Sequence, residues 1–536
     1  MKGECIVREI QLKNFRSLKD TGLQTLSPIT LLVGENSSGK STFLRAFPLL
    51  KQSISKRTSG PILWAGDVDD YVDFGSFEET VTNDKSTEIT FRFKFKIKDL
   101  GLVRRWVSLE YFFADTEDTS DSVNSDIDYE MTIASSKGKD FVSSLRLTIN
   151  SFSVYFDLLE KTITTNGGLK YTEPKTPSNS GKGEKDSRRF YGRIVSVCRT
   201  FGFVLPCIEE LWDIIFENIL TSEQEEIDQY NFRQILVDIG YHLSRSSDIK
   251  TLDTQNKTVG KYPYWYIEEY NNTVINMLAN PNEELNEMLK LCFVYKIISE
   301  IDEYILQYFK QVHYIAPLRA TAERYYRLRN LAVDEVDYQG KNLAIFINSL
   351  TSKQIKEFHE WTNEHFGFTV STNKSRGHLS LEIQLKNSEK AINLSDTGFG
   401  YSQVLPIITQ LWELSSQKTN KVNGSRNTLP LVIAIEQPEL HLHPAVQARL
   451  AKAFIASINL ARKNGYELQL LLETHSETIV NYLGRAISRG MLQPEDVSVI
   501  LFEKNPHENV TTVMNSSYDE YGYLTNWPYG FFDSED

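Results

Sequence analysis

The stretch "GENSSGKST", residues 34–42, decides how the rest of the chain is read. It meets every fixed position of G-x-x-x-x-G-K-[ST]. It lies between a short apolar run, "ITLLV" (29–33), and a segment that reads as a helix, "STFLRAFPLLKQSI" (41–54). A buried strand, a glycine turn and a helix are the setting in which this pattern has a mechanism. Gly34 and Gly39 let the backbone close, so N–H groups along Asn36, Ser37 and Ser38 can surround phosphates. The helix start adds its positive dipole end. Lys40 is expected to reach the β- and γ-phosphates, Ser41 to ligate Mg²⁺, and Thr42 to bond the α-phosphate.

Three further signals lie toward the other end. "LPLVIAIEQPE" (429–439) is an apolar strand of the Walker B kind, which places Glu436 where a carboxylate can hold the magnesium shell. "LQLLLETHSETI" (468–479) delivers His475 at the C-terminal end of another apolar strand, where open α/β sheets bind ligands. His475 is read as a γ-phosphate switch. "NLSDTGFGYSQVLPIITQLW" (393–412) is a Gly/Ser turn opening onto a helix, with Ser395, Gly398, Gly400 and Ser402 as a second anion cradle. Two cradles in one chain make sense if the second meets the nucleotide of another subunit. Pro406 falls beyond the first turn, so a kink is expected there.

Between these motifs the pattern changes twice. "STEITFRFKFKI" (86–97) alternates Ile89, Phe91, Phe93, Phe95 and Ile97 with polar residues, as a half-buried antiparallel strand does. "RWVSLEYFFA", "DYEMTIA", "SSLRLTINSFSVYF" and "TITTNGGLKYT" continue the series, which gives a β-meander over 86–173. "EPKTPSNSGKGEKDSRR" (173–189) is polar and reads as a loop. Residues 190–313 read as all-α, with Leu285, Met288, Leu289, Cys292, Ile297, Ile301 and Ile305 near helical spacing. "GHLSLEIQL" returns to strand, with Leu379, Leu381, Ile383 and Leu385 on one face.

Composition bounds the function. The 536 residues carry a net charge of −13, which argues against a general nucleic-acid binder but not against a local basic patch. Hydrophobic residues at 40% and charged residues at 24% are those of a soluble globular protein. Cys5, Cys198, Cys207 and Cys292 show no metal spacing and read as reduced thiols. "MKGECIVREI" has no signal-peptide core, and no run of about 18 apolar residues suggests a membrane span. The cytoplasm is the expected address.

The order of motifs resembles ABC-type ATPase heads, and within them the OLD-like and AAA_15/AAA_21 families of prokaryotic ATPases. "IQLKNFRSL", "DFGSF", "YIAPLRATAERYY", "IEQPELHLHP", "ETHSE" and "YGYLTNWPYGFFD" resemble one subgroup, the PtuA-like ATPases of Septu and retron-associated anti-phage systems. The resemblance implies ATP and Mg²⁺ as cofactors. It also implies a homodimer that sandwiches ATP, with Lys40 and Glu436 from one head and the 395–402 turn from the other. It further implies an HNH endonuclease partner (PtuB-like) and, in retron versions, a reverse transcriptase with its multicopy single-stranded DNA. Some OLD-like proteins append a TOPRIM nuclease of about 100 residues, for which the stretch after His475 is too short.

The resemblance also defines a departure. Gln437 stands where the usual catalytic glutamate would be, and an amide can orient water but cannot take its proton. Glu439 or His475 could serve instead, although Glu439 also reads as a helix-start carboxylate with no catalytic duty, so hydrolysis is expected to be slow or triggered. "HLHP" offers His441 and His443 two residues apart without a third ligand, and a turn at a dimer seam fits it better. In "RATAERYYRLRN", Arg319, Arg324, Arg327 and Arg329 surround Tyr325 and Tyr326, a pattern that grips nucleic acid or forms a solvated helix. "DSRRFYGR" is a weaker candidate of the same kind.

The expected fold is therefore an α/β ABC-type P-loop head, discontinuous in sequence. Its parts are 1–85 with the P-loop, 86–175 as antiparallel β, 176–313 as loop and all-α insertion, and 314–536 with the remaining motifs. The expected function is a nucleotide-gated regulator of a partner nuclease. The alternatives are a DNA-repair ATPase like SMC or Rad50, for which no sustained heptads appear, and a stand-alone nucleic-acid sensor.

Overall fold

The structure is a computed structural model. It describes residues 6–56, 58–67, 70–82, 87–98, 124–172, 258–259, 262–263, 298, 301–302, 304–327, 333, 335–375, 377–416, 430–505 and 510–527. The chain divides into two units. The smaller takes in Met1–Cys5, Thr58–Pro61 and Arg92–Leu306; the larger takes in Ile6–Arg57, Ile62–Phe91 and Gln307–Asp536.

The larger unit is built on a seven-stranded sheet. Its order is Val312–Ile315, Leu431–Glu436, Leu468–Glu473, Ile29–Gly34, Val497–Asn505, Val510–Tyr518 and Leu524–Thr525. The first five strands run parallel, and the last two are antiparallel. Three central strands, Ile29–Gly34, Leu431–Glu436 and Leu468–Glu473, are buried at every residue. That is why they read as continuous apolar runs rather than alternating ones.

The pleat still sorts their side chains. Leu31, Ile433, Ile435, Leu470 and Leu472 join one core with Leu405 and Ile408 of helix Phe399–Ser416 and with Leu450 and Phe454 of helix Pro444–Lys463. By alternation Glu436 and Glu473 lie on the opposite face. Helix Lys40–Ser55 packs on that face, as its Phe43 ring shows, 5.6 Å from Phe502. Pro48 and Pro406 each sit inside an unbroken helix.

The smaller unit contains a β-meander. Asn124–Ser136, Lys139–Ile149, Phe152–Asp157, Thr162–Thr165 and Lys170–Thr172 pair antiparallel in succession. The first hairpin turns on Lys137 and Gly138, both at positive φ (52° and 70°), as a two-residue turn between right-twisted strands requires. Strand Glu88–Lys98 begins in the larger unit and continues in the smaller; its Ile89, Phe91, Phe93 and Phe95 are all buried. "RWVSLEYFFA", the 173–189 loop, "DSRRFYGR" and the four cysteines lie outside the described residues.

Several sequence expectations are corrected. The segment read as all-α contains a small hairpin, Thr258–Val259 with Tyr262–Pro263, and strand Val312–Ile315 of the main sheet. Residues 301–302 and 304–310 are helical, and most of the segment lies outside the described residues. "RATAERYYRLRN" is not a helix: its described part is irregular apart from a two-residue strand, Tyr326–Arg327. Leu385 ends its strand 40% exposed, whereas Leu379, Leu381 and Ile383 are buried. Among the described residues no helix is long and apolar enough to cross a membrane.

Candidate nucleotide-binding site

Gly34 ends the first central strand at φ +151°, and a Cβ there would lie 2.2 Å from the carbonyl oxygen of Phe502. Gly39 precedes helix Lys40–Ser55 at φ +99°. Only glycine accommodates both positions. The loop they bracket opens on a cleft of about 680 Å³, a volume suited to a nucleotide. One wall is the loop itself, Asn36 to Thr42, with Arg45. Gln437, Glu473 and His475 form the strand-end wall. Arg16, Ser17, Phe74, Glu79, Val81, Thr82 and Lys504 close the remaining side. Arg16, Arg45, Glu473 and Lys504 had no assigned role in the sequence reading.

Lys40 is 2% exposed. Its Nζ donates to the carbonyl oxygens of Gly34, at 3.0 Å, and of Glu35. Burial lowers its pKa, while Glu473, Glu35 and Glu439 oppose that shift. The ammonium is thus held inside its own loop by carbonyls, which are weaker partners than phosphate oxygens.

The carboxylates divide in a way the sequence did not reveal. Ser41 and Arg45, one helical turn apart, both face the sheet. Glu436 and Glu473 are register neighbours on adjacent parallel strands. Ser41 Oγ donates to Glu473 Oε1 at 2.8 Å. Arg45 donates to both oxygens of Glu436, Nε to Oε1 at 2.6 Å and Nη2 to Oε2 at 2.7 Å. Tyr314 Oη donates to Glu436 Oε1 at 2.7 Å. Glu436, read from sequence as the magnesium carboxylate, is therefore paired with Arg45, and the carboxylate on Ser41 is Glu473.

Burial, then the negative charge of Glu436, pushes the Glu473 carboxyl up to about 7, against the hydrogen bond from Ser41. In the unfolded chain a glutamate ionises near 4.5, so between these values the folded state holds the extra proton. Stability contributed by the neutral form is full below about pH 4.5 and is lost as pH rises to about 7. Glu473→Gln removes that slope. The melting temperature of nucleotide-free mutant minus wild type should grow from pH 5 to pH 8, by the equivalent of up to about 3 kcal/mol. A gap that stays flat across this range would contradict the buried, unpaired acid.

Glu439 has both oxygens engaged. Oε2 accepts from Thr474 Oγ1 at 2.8 Å and Oε1 from the His475 N–H at 2.7 Å. It brackets the turn that carries His475 and does not line the cleft. Gln437 does line it, with its backbone at φ 43° and its N–H donating to Glu473 O at 2.8 Å. Burial and the charge of Lys40 lower the His475 pKa, which favours the neutral ring.

The second cradle stands apart from this cleft. Ser395 is exposed and donates to Asn393 Oδ1 at 2.8 Å. Gly398 has open space around it, Gly400 lies against His441 O, and Ser402 is buried with its hydroxyl on Phe399 O. None of the four lines the P-loop cleft. The Phe399 ring, 47% exposed, packs edge-on against His441 at 5.0 Å. His443 caps helix Pro444–Lys463, its Nδ1 accepting from the Ala445 N–H. Among the described residues no three His, Cys, Asp or Glu are grouped to hold a metal by themselves.

The arginine cluster is corrected as well. Arg319 is 5% exposed and donates to the Glu436 and Gln437 carbonyls, and burial lowers its pKa to about 10. It is a strut under the Glu436–Gln437 turn, not a surface cation. Arg324 pairs with Asp396 at 2.8 Å, Arg327 is exposed, and Arg329 lies outside the described residues.

No curated protein matches the chain. Among the solved structures that it resembles at low similarity are two SMC heads. One is described as "Crystal structure of the SmcHead bound to the C-winged helix domain of ScpA", at 12% identity and TM-score 0.32, covering 96% of this chain and 98% of that one. The other is the "SMC head domain from Thermotoga maritima", at 9% identity and TM-score 0.32, with the same coverage. A family model described as "Protein of unknown function (DUF3696)" matches residues 492–536. The model "AAA ATPase domain" (AAA_15) matches residues 6–480, a span that takes in the glycine loop 34–42, strand Leu431–Glu436 and His475, and the chain belongs to this family of ATPases.

Proposed function

We propose that the protein binds Mg²⁺–ATP at the P-loop, hydrolyses it slowly, and uses the bound nucleotide to gate a dimer that regulates a partner nuclease in anti-phage defence. The observation that carries the ATP reading is the loop itself: glycines at φ values that other residues rarely adopt, and a lysine whose partners are backbone carbonyls until phosphates replace them. The slow rate rests on Gln437 at the strand end, where a base would stand, and on Glu439 being engaged elsewhere. The gating role rests on the second cradle, whose Ser395 and Gly398 are exposed and which lies outside the cleft of its own chain. The defence setting rests on the motifs "IEQPELHLHP" and "ETHSE" and on their resemblance to PtuA-like ATPases. An HNH endonuclease is the partner that resemblance implies, with a reverse transcriptase and its single-stranded DNA in retron versions.

Dimerisation separates this reading from a single-head binder. With a slowly hydrolysed ATP analogue the wild type should gain a two-chain species in light scattering. Gly398→Arg should remove that species and leave the chain's own nucleotide affinity within about two-fold, because Gly398 lies in open space outside the cleft. Equal mass for both proteins with and without analogue would count against the sandwich.

A further inference from the structure

We infer that Glu473 is the carboxylate that takes the magnesium ion beside Ser41, while Glu436 anchors the P-loop helix through Arg45. The inference deepens the Mg²⁺–ATP reading and rests on it. Four observations converge on these two side chains.

The first is a distance. Ser41 Oγ and Glu473 Oε1 are 2.8 Å apart. Neighbouring ligands of an octahedral Mg²⁺, each at 2.0–2.1 Å from the ion, lie about 2.9 Å from one another. The two oxygens already have the separation of adjacent ligands.

The second is an orphan. Glu473 Oε2 is buried and has no hydrogen-bond partner, on a residue only 2% exposed that lines the cleft. A buried carboxylate oxygen left bare is costly, and the charge of a divalent cation bound to this carboxylate offsets that cost.

The third is the state of the rival. Glu436 receives two hydrogen bonds from Arg45 and a third from Tyr314. To reach an ion it would have to release a bidentate guanidinium and leave Tyr314 Oη, 4% exposed as a residue, without its acceptor. Glu473 has nothing comparable to give up.

The fourth is the sheet. Glu436 and Glu473 are directly paired across adjacent strands, and one turn of the P-loop helix separates Ser41 from Arg45. The helix therefore assigns one polar side chain to each carboxylate. Mg²⁺ in nucleotide sites usually takes one or two carboxylates and completes its shell with phosphate and water oxygens, so Ser41 and Glu473 are a sufficient protein share.

The test reads metal linkage rather than turnover. AMP-PNP affinity is measured by isothermal titration with Mn²⁺ and again in EDTA, for wild type, Glu473→Gln, Glu473→Asp and Glu436→Gln. Wild type should bind more tightly with Mn²⁺. Glu473→Gln should lose at least ten-fold of that enhancement while its affinity in EDTA stays within two-fold. Glu473→Asp keeps the charge but withdraws it by one methylene, and should give an intermediate enhancement; it also serves if the Gln variant does not fold. Glu436→Gln should keep the enhancement and lower the melting temperature, since Arg45 loses its ionic partner. A full enhancement in both Glu473 variants, or its loss in Glu436→Gln alone, overturns the inference and leaves the nucleotide reading standing. No AMP-PNP binding by wild type in either condition overturns both.

Discussion

Lys40→Ala should weaken ATP binding by roughly 10²-fold and leave the melting temperature nearly unchanged. The affinity loss follows from what the ammonium would meet. Charge-assisted hydrogen bonds contribute about 1.5–3 kcal/mol each in context, and a lysine between β- and γ-phosphates makes more than one. The near-neutral stability follows from what the ammonium does without nucleotide. It is buried, desolvation lowers its pKa, and its acceptors are two backbone carbonyls of its own loop. Removing it relieves a buried charge as well as two hydrogen bonds. Equilibrium dialysis with labelled ATP, beside a thermal melt, checks both halves. Unchanged affinity would remove the phosphate role from this loop, and a collapsed melt would make Lys40 a structural residue.

Gln437→Glu should raise the steady-state rate of phosphate release at least ten-fold. General-base catalysis typically contributes about 10²–10⁴-fold, and glutamine forfeits it while keeping the ability to hold water. The substitution is nearly isosteric, and the backbone at φ 43° is fixed by the N–H bond to Glu473 O and by Arg319 on the neighbouring carbonyls, so the new carboxylate keeps its direction. Glu439→Gln is the companion. With both oxygens on Thr474 and His475, it should lower stability more than rate. A wild type that already turns over several times per second and is abolished by Glu439→Gln would make Glu439 the base. A negligible rate in all three proteins, each with equal ATP binding, would make ATP a bound ligand only.

The fold was legible wherever burial and period agreed. The short, mostly apolar runs at 29–33, 431–435 and 468–472, each ending at a glycine or an acid, read as strands covered on both faces. Ile89, Phe91, Phe93 and Phe95 announced the antiparallel strand by strict alternation. The P-loop was legible because its glycines are demanded by backbone angles that no other residue adopts cheaply. The division of labour between Glu436 and Glu473 was not legible. A strand-end acid reads as a metal ligand in one dimension; the helical spacing puts Arg45 one turn beyond Ser41, but nothing in the sequence says which strand end each of the two faces. The arginine cluster failed for a similar reason. Periodicity cannot distinguish a guanidinium on the surface from one buried against carbonyls, and Arg319 is the second kind.

The strand carrying the P-loop has a consequence for how the molecule is made. Ile29–Gly34 is flanked by Leu468–Glu473 and Val497–Asn505, so a ribosome makes its neighbours more than 430 residues after it. At roughly 5–20 residues per second, about 20 to 90 seconds passes between synthesis of the loop and synthesis of its supports. During that interval the apolar "ITLLV" has no parallel partner and both of its edges are open. The wall formed by Gln437, Glu473 and His475 does not yet exist, so ATP cannot stabilise the nascent chain. Pairings of such sequence separation are also slow to close. Capture of the N-terminal half by a chaperone, or early contact with a second copy, would act on the chain before nucleotide does. Newly made molecules should accordingly be most prone to aggregate when translation stalls between residue 34 and residue 468.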